Sequence, residues 1–297
     1  MGTPASRRFR YRVVDVFTTE PLAGNPLAVF LDGSGLDGEL MQRIAREMNL
    51  AETTFVLPPA DPECAAAVRI FTPRKEMAFA GHPTIGTSFV LLDERRVAPG
   101  HGSFALEEKV GPVPIWVDAG ESPMIWLRTP PIRERRAYDR STCAEALGLR
   151  EDELIDLAPR LLDAGNPTLL IGLRDAGTVD RAWLDSRGMS RLRGSDPEPF
   201  CVFVFARTRE GAYSRMFAPD YGIAEDAASG SSTGPLAAFM MDCGLLATAS
   251  GTRFVSEQGT KMGRRSLLHV RIEGERGRDG IYVGGHVRAI AEGVMTL

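Results

Sequence analysis

The stretch EMAFAGHPTIGT, residues 76–87, places Gly81 and His82 after a short apolar run and just ahead of SFVLL, which reads as a helix. A helix N-terminus presents backbone N–H groups without intrahelical partners and the positive end of the helix dipole. Glycine lets another group approach the backbone closely. Together these make a site for a small anion such as a carboxylate, although a plain turn into a helix would use the same residues. A second stretch, EDAASGSSTGPL (225–236), sets Asp226, Gly230 and Ser231 in a like context. Ser231 suits both a helix cap and a ligand contact, since both use the helix start. Glu225 and Asp226 are adjacent, so in an extended segment they point to opposite sides. Glu52, in NLAETTFV, is a carboxyl with apolar flanks between a helix end and a strand. A glutamate in a connection is usually solvated. In a dry cleft its pKa would rise, and it could take and give protons near neutral pH.

The elements that must position these residues come twice. AGNPLAVF (23–30) returns as AGNPTLLI (164–171), RIFTP (69–73) as RMFAP (215–219), and EMAFAGHPT (76–84) as EDAASGSST (225–233). The order is the same in both halves and the offsets are 141, 146 and 149 residues, which reads as a duplicated domain. YRVVDVF, NPLAVFL, TTFVLP, AVRIFTP and PFCVFVFA have the alternation or β-branched and aromatic content of strands. LMQRIAREMNL spaces Leu40, Ile44 and Met48 on one helical face. A helix is expected from about Thr84 to Leu92, and another from after Gly230 to about Cys243, closed by Gly244. TCAEALG carries a Thr142-x-x-Glu145 capping box and stops at Gly148. The proline- and arginine-rich RTPPIRERRAYDRS (128–141) is the expected crossing between halves. Two glycine turns related by an approximate two-fold axis would face each other across a cleft and hold a small anionic substrate from both sides.

Bulk properties narrow the classes. The chain has 297 residues, enough for one large domain or two ordinary ones. A net charge of -4 gives no support for nucleic-acid binding, and RERR (133–136) and GRRS (263–266) read as solvated loops. Cys64, Cys143, Cys201 and Cys243 form no CxxC pair, which fits a reduced, cytoplasmic protein. His82, His101, His269 and His286 show no metal-ligand spacing. The N-terminus lacks a signal-peptide core, and no apolar run is long enough to span a membrane. MGTPAS matches the permissive myristoylation pattern, a match read as chance.

DVFTTEPLAGNPLAVF, MNLAETTFV, FAGHPTIGT, EDAASGSSTGPLAAF and EQGTKMGR, in this order and along nearly the whole chain, resemble the PhzF-like family of phenazine-biosynthesis isomerases. The resemblance implies an α+β fold shared with diaminopimelate epimerase: two similar halves, each a barrel-like sheet around a central helix. The first half would be residues 1–128 plus the C-terminal strand 286–297, and the second 129–285. It also implies a cofactor-free isomerase of a small carboxylic acid, the type enzyme acting on trans-2,3-dihydro-3-hydroxyanthranilate. Matched to the family's pattern, Glu52 moves the proton, and Gly81, His82, Asp226, Gly230 and Ser231 bind substrate. The family's usual DPATGSAAGPL is here DAASGSSTGPL, and MGRPS is MGRRS, with Arg265 in place of the proline. No metal, nucleic-acid or membrane partner is expected, and a homodimer is.

Other readings stand beside this one. A racemase with two opposed thiols needs a cysteine in each glycine turn, and 79–84 and 228–233 contain none. A non-catalytic small-molecule-binding or interaction protein would keep the fold and lose the chemistry. Glu198, at an offset of 146, is the formal counterpart of Glu52, in a proline-flanked turn where an exposed side chain is expected. Glu76 and Glu225 match in the repeat, with no role beyond loop structure.

Overall fold

The computed structural model describes residues 7–98, 102–195, 197–274 and 280–297. MGTPAS, with its myristoylation pattern, and His101 lie outside the described residues. The chain divides into two compact units, residues 1–127 with 285–297, and residues 128–284.

The first unit is a mixed sheet with a helix on each face. Its elements are β1 (Arg8–Val16), β2 (Asn25–Phe30), α1 (Gly38–Met48), β3 (Glu52–Leu57), β4 (Ala66–Phe71), β5 (Glu76–Met77), α2 (Gly81–Asp93), β6 (Ser103–Glu108), β7 (Gly111–Asp118) and β8 (Met124–Arg128). The C-terminal strand β18 (Val287–Thr296) completes it. The ladder runs β18–β1–β2–β3–β4–β6–β7–β8, parallel only at β2–β3 and β4–β6. Short β5 pairs with β4 ahead of α2.

Strand alternation decides what each face carries. On β3, Phe55 joins Phe30, Phe71, Met41 and Ile44 in a core covered by α1. The Phe30 and Phe55 rings stack at 5.0 Å, and Phe71 meets Phe55 edge-on at 5.6 Å. Thr54 points the other way, and its hydroxyl lies 2.9 Å from that of Thr87 on α2. Asp37 caps α1 by accepting the N–H of Leu40, and Asn49 ends it in the left-handed region. α2 is unlike α1. Nearly every residue from Gly81 to Leu91 is buried, as expected of a helix that is apolar or small all round. A Cβ at Gly86 would lie 2.6 Å from Leu27 and 2.8 Å from Val16, so the helix sits directly on the sheet.

The second unit repeats the scheme. It contains β9 (Arg133–Ala137), α3 (Arg140–Ala146), β10 (Arg160–Asp163), β11 (Thr168–Leu173), α4 (Ala176–Arg181), α5 (Ser186–Arg193), β12 (Cys201–Arg207), β13 (Gly211–Ala218), β14 (Ile223–Asp226), α6 (Gly230–Asp242), β15 (Arg253–Gln258), β16 (Ser266–Ile272) and β17 (Ile281–Gly285). The ladder β9–β10–β11–β12–β13–β15–β16–β17 is parallel only at β11–β12 and β13–β15. This is the order and sense of the first unit, with β14 standing on β13 as β5 stands on β4. Val202 and Val204 face a core built with α3, α4 and α5, while Phe205 faces α6, edge-on to Phe239 at 5.7 Å. β12 is therefore apolar on both faces, which explains its unbroken hydrophobic run. The fold is α+β, two like halves, each a mixed sheet around a buried helix.

Several local expectations need correction. The cap of α3 is Asp139, whose carboxylate accepts the N–H of Thr142; Thr142 itself is already inside the helix. Asp precedes the apparent box and, with its charge, competes better for free N–H groups. The helix after Phe79 starts at Gly81, three residues earlier than expected, because Pro83 is compatible with a first turn, where its missing N–H has no partner to lose. The stretch 128–141 is not only a connection, since Arg133–Ala137 pairs with β10. No helix among the described residues is long and apolar enough to cross a membrane.

Candidate active site

β2 and β3 are parallel, with Leu27 opposite Glu52, so both strands begin at the same edge of the sheet. Glu52 shares the parity of Thr54 and points to the α2 face; Asn25 shares that of Leu27 and does the same. The first turn of α2 brings His82 over that edge. His82 Nε2 lies 3.2 Å from Oε2 of Glu52, with only 6 % and 13 % of the two side chains exposed. The other ring nitrogen, Nδ1, is 3.4 Å from Nδ2 of Asn25, and the ring also makes a backbone hydrogen bond with Pro26. Burial holds the imidazole neutral, lowering its pKa to about 3. A neutral imidazole has two tautomers. With the hydrogen on Nδ1, Nε2 is an acceptor facing Glu52. Accepting from Asn25 at Nδ1 puts the hydrogen on Nε2, as a donor to Glu52. The 3.2 Å contact is not aligned as a hydrogen bond; a small turn of either side chain would let the ring serve Glu52 as an acid or as a carboxylate.

Gly24, just before this edge, has φ +66°, and a Cβ there would meet the carbonyl of Val16 at 2.4 Å. Both that close approach and the left-handed backbone require glycine in AGNP. The matching Gly165 is also left-handed, at φ +94°.

In the second unit, β14 ends at Asp226 and α6 begins at Gly230. Asp226 Oδ2 accepts the hydroxyl of Ser229 at 2.6 Å, while Gln258 donates Nε2–H to the backbone carbonyl of Asp226 at 2.8 Å and to Ser229 Oγ at 3.0 Å. The N–H of Ser229 returns a bond to Gln258 Oε1 at 3.1 Å. This network holds the loop ahead of α6. Gly259 follows Gln258 with φ +75°, and a Cβ on it would strike the carbonyls of Arg264 and Ala227. Ser231 is not the cap of α6; Ser229 occupies that place, and Ser231 Oγ instead accepts from Asn166 Nδ2 at 3.3 Å. Asn166 also approaches Cys201 Sγ at 3.8 Å.

The ladders align these groups with those of the first unit. Thr168 is opposite Cys201 as Leu27 is opposite Glu52. The counterpart of Glu52 is therefore Cys201, at an offset of 149, and not Glu198. The latter is exposed and paired with Arg135. Asn166 corresponds to Asn25, and Ser231 to His82.

The whole-chain comparisons agree with one another. Residues 14–293 match the family model described as phenazine biosynthesis-like protein, PhzC-PhzF. The chain is 36% identical to the trans-2,3-dihydro-3-hydroxyanthranilate isomerase of Pseudomonas aeruginosa, covering 96% of this chain and 98% of that one. The chain belongs to the PhzF family. An uncharacterised isomerase of Mesorhizobium japonicum is 37% identical over 97% of this chain and 98% of its own. The crystal structure of a PhzF-family phenazine biosynthesis protein from Bacillus anthracis superposes with a TM-score of 0.87 at 23% identity, covering 98% of this chain and all of that one, which shows the fold. As a PhzF-family member the chain is an isomerase.

Within this PhzF-family chain, Glu52, Gly81 and His82 come together in the first unit, and Asp226, Gly230 and Ser231 in the second. Reading the residues for chemistry passed over Asn25, Asn166, Ser229 and Gln258. The repeated AGNP carried the first two in plain view, and EQGTKMGR the last. It also left Glu76 and Glu225 without a role. They close matched ion pairs, Arg69–Glu76 at 2.7 Å and a two-pronged Arg215–Glu225 at 2.8 Å. The arginines stand in the repeated RIFTP and RMFAP. The described residues hold no group of three or more His, Cys, Asp or Glu side chains able to bind a metal.

Proposed function

We propose that this isomerase moves a proton between two carbons of a small unsaturated carboxylic acid without a cofactor, and that Glu52 carries the proton. The observation behind this is the buried contact of the Glu52 carboxyl with a neutral imidazole that can donate or accept. Glu52 as carboxylate takes a proton from one carbon of the substrate. As a carboxylic acid it returns the proton to another carbon on the same face. The electron pair moves through the intervening double bonds, and no atom is gained or lost. His82 stabilises both states of Glu52, as a donor to the carboxylate and an acceptor from the acid. Backbone N–H groups of the Gly81 turn hold the substrate carboxylate; in the second unit, Gly230 and Ser231 are the substrate contacts that the family pattern implies. Asp226 orients a substrate hydroxyl or amine, and its geometry is kept by Ser229 and Gln258. The named relative supports trans-2,3-dihydro-3-hydroxyanthranilate as the first compound to offer.

The test is to supply that compound to the purified protein and to Glu52→Gln, following product by chromatography and binding with the aromatic analogue 3-hydroxyanthranilate. Turnover by the parent alone, with similar binding by both, is expected. No turnover by the parent removes this substrate. Equal turnover by Glu52→Gln removes the glutamate mechanism.

A further inference from the structure

Glu108, the last residue of β6, is a buried acid with no part in the chemistry above. Only 5 % of it is exposed. Its Oε1 lies 2.6 Å from Oγ1 of Thr84, in the first turn of α2. The same Oγ1 lies 2.7 Å from the carbonyl oxygen of Ala80, the residue that opens α2. A threonine hydroxyl has one hydrogen. It cannot donate to both oxygens. Both short contacts are bonds at once only if Glu108 carries a proton on Oε1 and donates it to Thr84, leaving Thr84 to donate to Ala80.

The surroundings agree with a neutral acid. The other oxygen, Oε2, is buried and finds no hydrogen-bond partner among the described residues. That would be costly for a carboxylate and far less so for an acid. Charged neighbours are engaged elsewhere. Glu107 accepts the N–H groups of Ala60 and Asp61. Lys109 lies 3.9 Å from Glu76, which Arg69 of β4 already holds. His82, on α2, is neutral. Burial accordingly raises the Glu108 pKa to about 8, with the Thr84 bond the only opposing influence.

We propose that Glu108 is a positioning residue that acts through its proton: a chain from Glu108 O–H to Thr84 O–H to the Ala80 carbonyl polarises the Ala80–Gly81 peptide. The carbonyl and the Gly81 N–H belong to one resonant amide. Drawing electron density to the oxygen makes the N–H a better donor, as in other hydrogen-bond chains. Loss of the proton reverses the chain. Thr84 must then turn its hydrogen to Glu108, and a negative charge appears behind the α2 N-terminus, where it opposes a bound anion. The consequence for substrate rests on the reading above that the Gly81 turn holds a carboxylate; the chain itself does not.

The experiment follows the Gly81 amide by ¹H–¹⁵N NMR from about pH 6 to about pH 9.5 in the parent, Glu108→Gln and Thr84→Val, and measures 3-hydroxyanthranilate affinity over the same range. In the parent the amide should titrate with a midpoint near pH 8. In Glu108→Gln it should stay flat; in Thr84→Val, where Glu108 still ionises but no hydroxyl relays the change to the Ala80 carbonyl, the response should be smaller than in the parent. Glu108→Gln keeps a neutral donor to Thr84, so at neutral pH it should bind the analogue within about twofold of the parent, a conservative hydrogen-bond exchange. Parent affinity should fall roughly threefold to tenfold towards the alkaline end, the worth of one net hydrogen bond, and Glu108→Gln affinity should not. A Gly81 amide that is flat in the parent, or that titrates equally in Glu108→Gln, overturns the proposal whatever binds. A titrating amide without analogue binding in any of the three proteins supports the chain and removes Gly81 as the carboxylate site.

Discussion

Asn25, Glu52 and His82 stand at the places in the first unit that Asn166, Cys201 and Ser231 occupy in the second. The strand order, the parallel ladders and the buried helix are the same; the side chains are not. One trio contains a carboxyl against an imidazole. The other contains a hydroxyl and a thiol around the same amide, which can hydrogen-bond but lacks a strong acid–base pair. Backbone topology thus specifies where three side chains stand and leaves open what they do. On the proposed reading, the first trio transfers the proton and the second orients.

The largest expected effect tests that division at its centre. Glu52→Gln should lower turnover by about a hundredfold to ten-thousandfold, the span of a positioned acid–base group. Binding of 3-hydroxyanthranilate should be nearly unchanged. Cys201→Ser, the near-isosteric change at the matched place, should alter turnover by less than about threefold, as a substitution outside the proton path does. Steady-state rates on one substrate decide between them. If Cys201→Ser is as damaging as Glu52→Gln, the trios are not divided as proposed.

The second comparison lies in the ion pairs. Arg215 is 5 % exposed; besides Glu225 it donates to the carbonyls of Val179, Asp180 and Ala182. Arg69 is 34 % exposed. Removing a partner from a buried cation leaves an uncompensated charge, whereas a half-exposed one is rescued by water. Glu225→Ala should therefore destabilise by about 3 kcal/mol or more, and Glu76→Ala by about 1 kcal/mol or less, in denaturant unfolding. Equal losses would mean that the matched pairs are equivalent after all.

The repeat made the architecture legible, because AGNP, RIFTP and the glycine turns recur in order and each must sit in the same structural context. Glu52, His82 and Asp226 stood out as candidates through the motifs that resemble the family's pattern. What was not legible depends on register. A constant offset made Glu198 the counterpart of Glu52, but the loops between β11 and β12 differ in length from those between β2 and β3. Only the ladder shows that Cys201 is opposite Thr168. The Arg–Glu pairs join residues whose spacing along the chain gives no pattern, since partners across an antiparallel hairpin meet through strand pairing. Nothing in the sequence singles out Glu108; its burial follows from how closely β6 and α2 approach, which composition does not encode.

The smallest effect concerns pH, and it sets the first unit against itself. His82 has a folded pKa near 3, below its unfolded value of 6.5. Between those values the unfolded chain binds the proton and the folded one does not, so stability is lost as pH falls from 6.5. Glu108 runs the other way. Its folded pKa near 8 exceeds the ordinary 4.5, so the folded state holds a proton that the unfolded chain releases, and stability is lost as pH rises from 4.5 to 8. The two slopes oppose each other in the parent and largely hide each other. Single variants expose them. Relative to His82→Gln, the parent should lose roughly 1–2 kcal/mol of stability between about pH 7.5 and about pH 5.5. Relative to Glu108→Gln, it should gain about 2 kcal/mol over the same interval. Denaturant unfolding at the two pH values measures both differences. Slopes of the same sign would show that one of the two buried groups is in the other protonation state, and with it that the hydrogen-bond assignments around α2 are wrong.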